Sequence, residues 1–168
     1  LGNPGVPPPA AVRAALEQAA AAAEQSLAFG YCPNAGLPEA RRALAARLTA
    51  EQRLETSPEN IVVTCGAAGG LNIVFRSILE PGDEVLCIAP YFVEYGFYAA
   101  NHGGNLTPVP ASAGTFDLDV EAIDRAIGPR TRVVLVNSPN NPTGAVYSAA
   151  AIAELAALLQ RRSREFGR

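Results

Sequence analysis

Apolar residues change their spacing several times along this chain, and each change predicts an element. Pro7-Pro8-Pro9 is a stiff, extended lead-in, and Pro9 or Ala10 can open a helix. From Ala10 to about Leu27 the residues are strong helix formers, chiefly Ala, Glu, Gln, Arg and Leu, and predict a first helix. Phe29 to Gly36 reads as a loop. Leu37 to about Glu51 predicts a second helix, with Pro38 in its first turn and Leu44 and Leu48 on one face.

After Ser57-Pro58 the texture shifts. Ile61-Val62-Val63 reads as a short strand, followed by a small-residue loop, Cys65 to Gly70. Leu71, Val74, Phe75 and Ile78 recur at helical spacing and predict a helix over 71–79. Pro81-Gly82-Asp83 is a turn. Val85 to Ile88 predicts a strand ending at Pro90, and the aromatic stretch Tyr91 to Tyr98 a helix. Leu106 to Val109 is a further strand. Asp119 is placed to cap a helix through Ile127. Arg132 to Val136 is a strand, and Ser148 caps a long last helix.

Two helices, then strand and helix alternating four times, define an α/β fold. The expectation is a mostly parallel sheet of about four strands flanked by helices. Ligands in such folds bind beyond the carboxyl ends of the strands. Three loops fall there, after Thr64, after Ala89 and after Val136.

Composition narrows the function. The 168 residues are 49% hydrophobic and 17% charged with net charge −3, which fits a globular domain and not a nucleic-acid binder. No apolar run reaches the roughly 18 residues of a membrane span, and no leader-like segment is visible. Cys32, Cys65 and Cys87 are odd in number and widely separated, so they support no disulfide framework or metal site and read as small buried hydrophobes in a reducing cytoplasm. All 13 basic residues are Arg; there is no Lys. Leu1-Gly2-Asn3-Pro4 starts inside a turn without Met, and Arg161 to Arg168 runs out without a closing element. The chain is therefore expected to be a piece of a longer one.

Each strand-end loop has a chemical reading and a plainer one. Gly66-Ala67-Ala68-Gly69-Gly70 offers a phosphate the free N–H groups of a helix start; it also suits tight strand–helix packing. It lacks the Gly-Lys-Ser/Thr ending of a Walker loop. Phe92, just past a strand end, can stack on a flat heterocycle or belong to a lid of core aromatics. Asn137-Ser138-Pro139-Asn140-Asn141-Pro142-Thr143-Gly144 places an Asn amide on a Pro-braced loop, and its length and composition argue against a mere turn. Tyr31, in a Pro/Gly loop, could be a surface plug. His102, the only His, reads as a turn residue. Asp117, Asp119, Glu121 and Asp124 are spaced like a helix start, not like metal ligands. No Ser/His/Asp arrangement is visible.

Taken together, Tyr31…Gly36-Leu37-Pro38-Glu39, Thr64-Cys65-Gly66-Ala67-Ala68-Gly69, Pro81-Gly82-Asp83-Glu84-Val85, Pro90-Tyr91-Phe92…Tyr95 and Asn137 to Gly144 form an ordered set. In that order and spacing the chain resembles the class I/II aminotransferases, fold-type I enzymes that depend on pyridoxal 5′-phosphate. The resemblance covers essentially the whole chain. It implies an N-terminal segment and helix over 1–30 and a partial cofactor-binding large domain over 31–168.

The resemblance also implies roles. Asn141 would bond the phenolic oxygen of the cofactor ring and help hold the substrate carboxylate. Phe92 would stack on the ring. Gly66, Ala67 and Ala68 would hold the phosphate through backbone N–H groups. Tyr31 would reach the phosphate in a neighbouring subunit, so the complete protein would be a homodimer. Gly2 would lie near the substrate. The bonds before Pro90 and Pro142 are often cis in the family.

Two departures stand out. Ala68 replaces the hydroxyl residue common in relatives. The Schiff-base Lys, the Asp beneath the ring nitrogen and the substrate-binding Arg of the family all come later than this chain extends. The expectation is a part of an enzyme that moves an amino group from an amino acid to a 2-oxo acid, inactive by itself. A lyase, decarboxylase or synthase of the same fold, the aminotransferase-like domain of a transcription regulator, and a non-catalytic phosphate-binding module remain as alternatives.

Overall fold

The computed structural model describes residues 5–25, 28 and 30–167. The chain divides into two compact units, Leu1–Thr64 and Cys65–Arg168.

The first unit holds two helices, α1 (Ala10–Ala21) and α2 (Pro38–Gln52). After α1 a single tight turn, Ala22–Glu24, leads to an extended Gln25, so the helix is shorter than its composition predicts. The end expected at Leu27 lies outside the described residues. An Ala-rich run has no stop signal of its own, and α1 buries no residue that would extend it. Pro38 begins α2, where its missing N–H costs nothing.

Ile61 to Val63, expected as a strand, forms no ladder, and three strands rather than about four make up the sheet among the described residues. The stretch is extended but is held by other means. Val63 N donates to Ala35 O at 2.9 Å, and the Arg41 guanidinium donates to the carbonyls of Ile61 (2.8 Å) and Pro58 (2.7 Å). Gly36, at φ +98°, leaves so little room that an added Cβ would sit 2.8 Å from the Val63 side chain.

The second unit is an α/β sandwich. Its elements are α3 (Gly66–Ile78), β1 (Glu84–Ala89), α4 (Glu94–Ala100), β2 (Asn105–Pro110), α5 (Val120–Ala126), β3 (Thr131–Leu135) and α6 (Ala149–Phe166). The sheet is parallel, in the order β2-β1-β3. Its central strand is buried on both faces, as continuous apolar Val85 to Ile88 predicts. Alternate side chains divide the core. Val85 packs with Phe75 of α3 and Ala99 of α4 on one face. Leu86 and Ile88 pack on the other with Ile123 of α5 and Leu155 and Leu158 of α6. Both predicted caps are present. Asp119 Oδ1 accepts from Ala122 N at 2.8 Å, and Ser148 Oγ from Ala151 N at 3.1 Å.

Candidate functional site

Chain direction brings three loops of the second unit to one edge. The strands are parallel, so β1, β2 and β3 all end there. The segment following β1 leads to α4 on one face of the sheet, while that following β3 leads to α6 on the opposite face. Two adjacent strands whose outgoing connections part to opposite faces leave a crevice between their carboxyl ends. The start of α3 comes to the same edge. Its 13 residues and the six of β1 each span about 20 Å, and a tight turn at 81–83 sends the chain back along the helix. The helix therefore begins near the level at which β1 ends.

That helix start is exposed at Gly66, Ala67 and Ala68. Gly66 has φ +69°, and an added Cβ would meet nothing within 4 Å. Glycine is thus demanded at this position by backbone conformation and not by packing. The helix also starts earlier than its apolar period predicts, at Gly66 and not Leu71.

The loop after β1 carries a cis Ala89–Pro90 bond. Phe92 follows, half-buried, with its ring edge-on to Tyr95 at a centroid distance of 5.6 Å and an interplanar angle of 77°. Tyr95 is itself buried on α4. Burial, and secondarily the neighbouring Cys87, pushes its hydroxyl above the ordinary range; burial pushes the Cys87 thiol up to about 12. These groups stay neutral and act as packing; Cys32 and Cys65, expected to be small buried hydrophobes like Cys87, are instead exposed, one in a loop and the other at the start of α3. Helix α4 starts at Glu94, three residues after the predicted Tyr91.

The loop after β3 has cis bonds at Ser138–Pro139 and Asn141–Pro142. Asn140 is its buried member, at 6% exposure. Its Nδ2 donates to Pro90 O and to Thr143 Oγ1, both at 3.0 Å, tying this loop to the one after β1. Its backbone donates to Ala145 O and accepts from Gly144 N. Asn141 is exposed, and its backbone N–H is fixed by Asn137 Oδ1 at 2.9 Å. So Asn140 anchors the loop, while the next residue, Asn141, keeps an exposed side chain. The sequence string contains both residues but does not distinguish the anchor from the exposed amide.

Of the remaining expected residues, Tyr31 is fully exposed in the first unit. Gly2 lies outside the described residues. His102, expected as a turn residue, and Asn72, to which the sequence did not point, bond each other beside the α3 start at 3.1 Å. A recess of about 480 Å³ lies elsewhere, along β3 and α6, lined by Val133, Val134, Leu159 and Phe166 among others. It follows a strand edge that no other strand covers among the described residues, and it holds none of the strand-end loops. No described helix is long and apolar enough to cross a membrane.

Comparison with known proteins points in one direction. The family model described as aminotransferase class I and II matches residues 2–164. Aspartate/prephenate aminotransferase of Thermus thermophilus is 44% identical over 141 residues, covering 82% of this chain and 37% of that protein. A probable N-succinyldiaminopimelate aminotransferase of Mycobacterium tuberculosis is 40% identical over 80% of this chain and 36% of its own length. Among solved structures, an aminotransferase from Eubacterium rectale superposes with a TM-score of 0.94 at 38% identity, covering all of this chain and 42% of the other. A mutant Thermus thermophilus aspartate aminotransferase gives 0.87 at 40% identity, over 96% of this chain and 44% of the other. The chain thus spans well under half the length of these relatives.

Proposed function

The chain belongs to the aminotransferase class I and II family, and from that premise we propose that it builds the phosphate- and ring-contacting part of a pyridoxal 5′-phosphate site. The whole protein would move an amino group between an amino acid and a 2-oxo acid. The carrying observation is the Asn140-to-Pro90 bond, which locks the Phe92 loop and the Asn141 loop together across the crevice.

The residues present fit the cofactor. An exposed helix start with small side chains at Gly66, Ala67 and Ala68 suits a phosphate group, because small side chains let it approach the backbone and the helix dipole favours an anion there. Phe92, held edge-on by Tyr95, offers one face to a planar ring. Asn141, on a backbone tied to Asn137, directs its amide to a ring oxygen and to the substrate carboxylate. When bound, the cofactor supplies an electron sink for charge left at the amino acid's α-carbon. Asn141 and Phe92 orient the ring and exclude water from its face; neither moves a proton. Gly2 contacts substrate, and Tyr31 serves the phosphate of a second subunit, making the complete protein a homodimer. Three free thiols fit a reducing compartment, and we place the protein in the cytoplasm.

Covalent attachment of the cofactor in this family uses a Lys, and this chain has none. The isolated chain therefore binds without turning over. A transamination assay of the chain should read no activity, and titration with pyridoxal 5′-phosphate should perturb the cofactor spectrum more than titration with pyridoxal. Measurable turnover, or equal response to a nucleotide, would contradict this reading.

A further inference from the structure

The first turn of α3 is weak by composition. Gly66, Gly69 and Gly70 all lie within its first five residues, each costing roughly 1 kcal/mol against Ala in a helix. Its N-cap residue, Cys65, makes no side-chain cap bond, and no acidic residue stands in its first turn. Yet this is the turn on which the phosphate reading above relies, and a donor set works only if its N–H directions are fixed.

A two-residue bracket supplies what the turn lacks. Asn72 Nδ2 donates to Ala68 O at 2.9 Å, and Asn72 Oδ1 lies 3.1 Å from His102 Nε2. The first bond fixes the orientation of the amide: its nitrogen faces a carbonyl, which only accepts. Its oxygen therefore faces the imidazole, so Nε2 is the nitrogen that carries the hydrogen. A one-way chain results, His102 to Asn72 to Ala68.

The far end of the chain is anchored. His102 N bonds to Ala99 O at the end of α4, and the next residue, Gly103, accepts from Gly82 N at 2.9 Å. The turn after α4 is thus tied to the turn after α3. His102 is a post set between two stapled turns, and Asn72 is the strut from that post to the helix start.

We propose that His102 and Asn72 are positioning residues that hold the Gly66–Gly70 turn in the form that receives the cofactor phosphate. They touch no ligand. The proposal rests on the phosphate reading of this turn but is tested apart from it.

Amide hydrogen exchange of the whole 168-residue chain provides the test. In Asn72→Ala and in His102→Ala, the Gly69 and Gly70 amides should exchange faster by on the order of fivefold, the factor set by one lost hydrogen bond. The Val85 to Ile88 amides should be unchanged, which also checks that each variant folds. His102→Gln, which retains a side-chain N–H donor, should restore much of the protection. In parallel, each alanine variant should weaken binding of pyridoxal 5′-phosphate severalfold while leaving the weaker response to pyridoxal unchanged. Unaltered exchange at Gly69 and Gly70 would overturn the bracket. Altered exchange with no phosphate-dependent binding in any form would leave the bracket standing as a structural device and overturn both its cofactor role and the reading it rests on.

Discussion

Asn140 and Pro90 are 50 positions apart in the chain, yet the Asn140 side-chain amide donates to the Pro90 carbonyl at 3.0 Å. This bond joins the ends of β1 and β3 where their outgoing connections part to opposite faces. A second bond from the same nitrogen, to Thr143 Oγ1, closes the loop on itself.

Asn140→Ala should therefore destabilise the protein by about 1–3 kcal/mol, since it removes a buried donor and leaves a carbonyl unpaired. Urea unfolding measures this directly. Asn141→Ala, one residue on, removes an exposed side chain and should leave the urea midpoint within error while weakening cofactor binding. A pair of variants with equal stability losses would mean the two amides had been assigned the wrong roles.

Tyr147, three residues past Gly144, is buried in the core with Leu86 and Leu155, and its hydroxyl has no hydrogen-bond partner among the described residues. Burial, ahead of nearby Cys87 and Asp117, holds the hydroxyl above its ordinary range, so it stays neutral. Removing an unsatisfied buried hydroxyl without changing shape costs little and can be favourable. Tyr147→Phe should leave stability unchanged or raise it by up to about 1 kcal/mol. A clear loss of stability in thermal unfolding would show that the hydroxyl is bonded in solution.

Asp124 links α5 to α6 through Arg162 at 2.6 Å and Arg161 at 2.9 Å. The hydrogen bond from Arg162, with the charges of both Arg residues, holds its carboxyl below the ordinary value of 3.8. The folded form thus binds this proton less tightly than the unfolded form. Its contribution is fully present above pH 3.8 and is lost as pH falls through the lowered folded value. Asp124→Asn should flatten that part of the acid limb of a urea-midpoint profile; an unchanged limb would show that the pair contributes nothing measurable in water.

Much of this was legible locally. Asp119 and Ser148 announce their helices because an N-cap bond reaches only three residues ahead. The strands β1 and β3 announce themselves by apolar runs between turn residues. What failed was non-local. Ile61 to Val63 has the composition of a strand, but joining a ladder takes a partner strand, and here the backbone of Val63 and Ile61 pairs instead with Ala35 and Arg41, which no window around residue 61 contains. The start of α3 was missed because glycine argues against helix, while packing of Phe75 and Leu71 under β1 decides for it. The loop string identified the family, but only the fold separates Asn140, turned inward to Pro90, from Asn141 at the surface. His102 reads as a turn residue and is one; its bond to Asn72, 30 positions earlier, follows from the packing of α3 against the turn after α4.

The central claim is that the carboxyl ends of β1 and β3 and the start of α3 form one cofactor cradle. Amide chemical-shift mapping of the labelled chain during addition of pyridoxal 5′-phosphate tests it most directly. The account predicts shifts confined to Ala67, Ala68, Phe92, Asn141 and their neighbours, reduced in Asn141→Ala. Shifts gathered instead along Val133, Val134 and Phe166, or none at saturating cofactor, would contradict it.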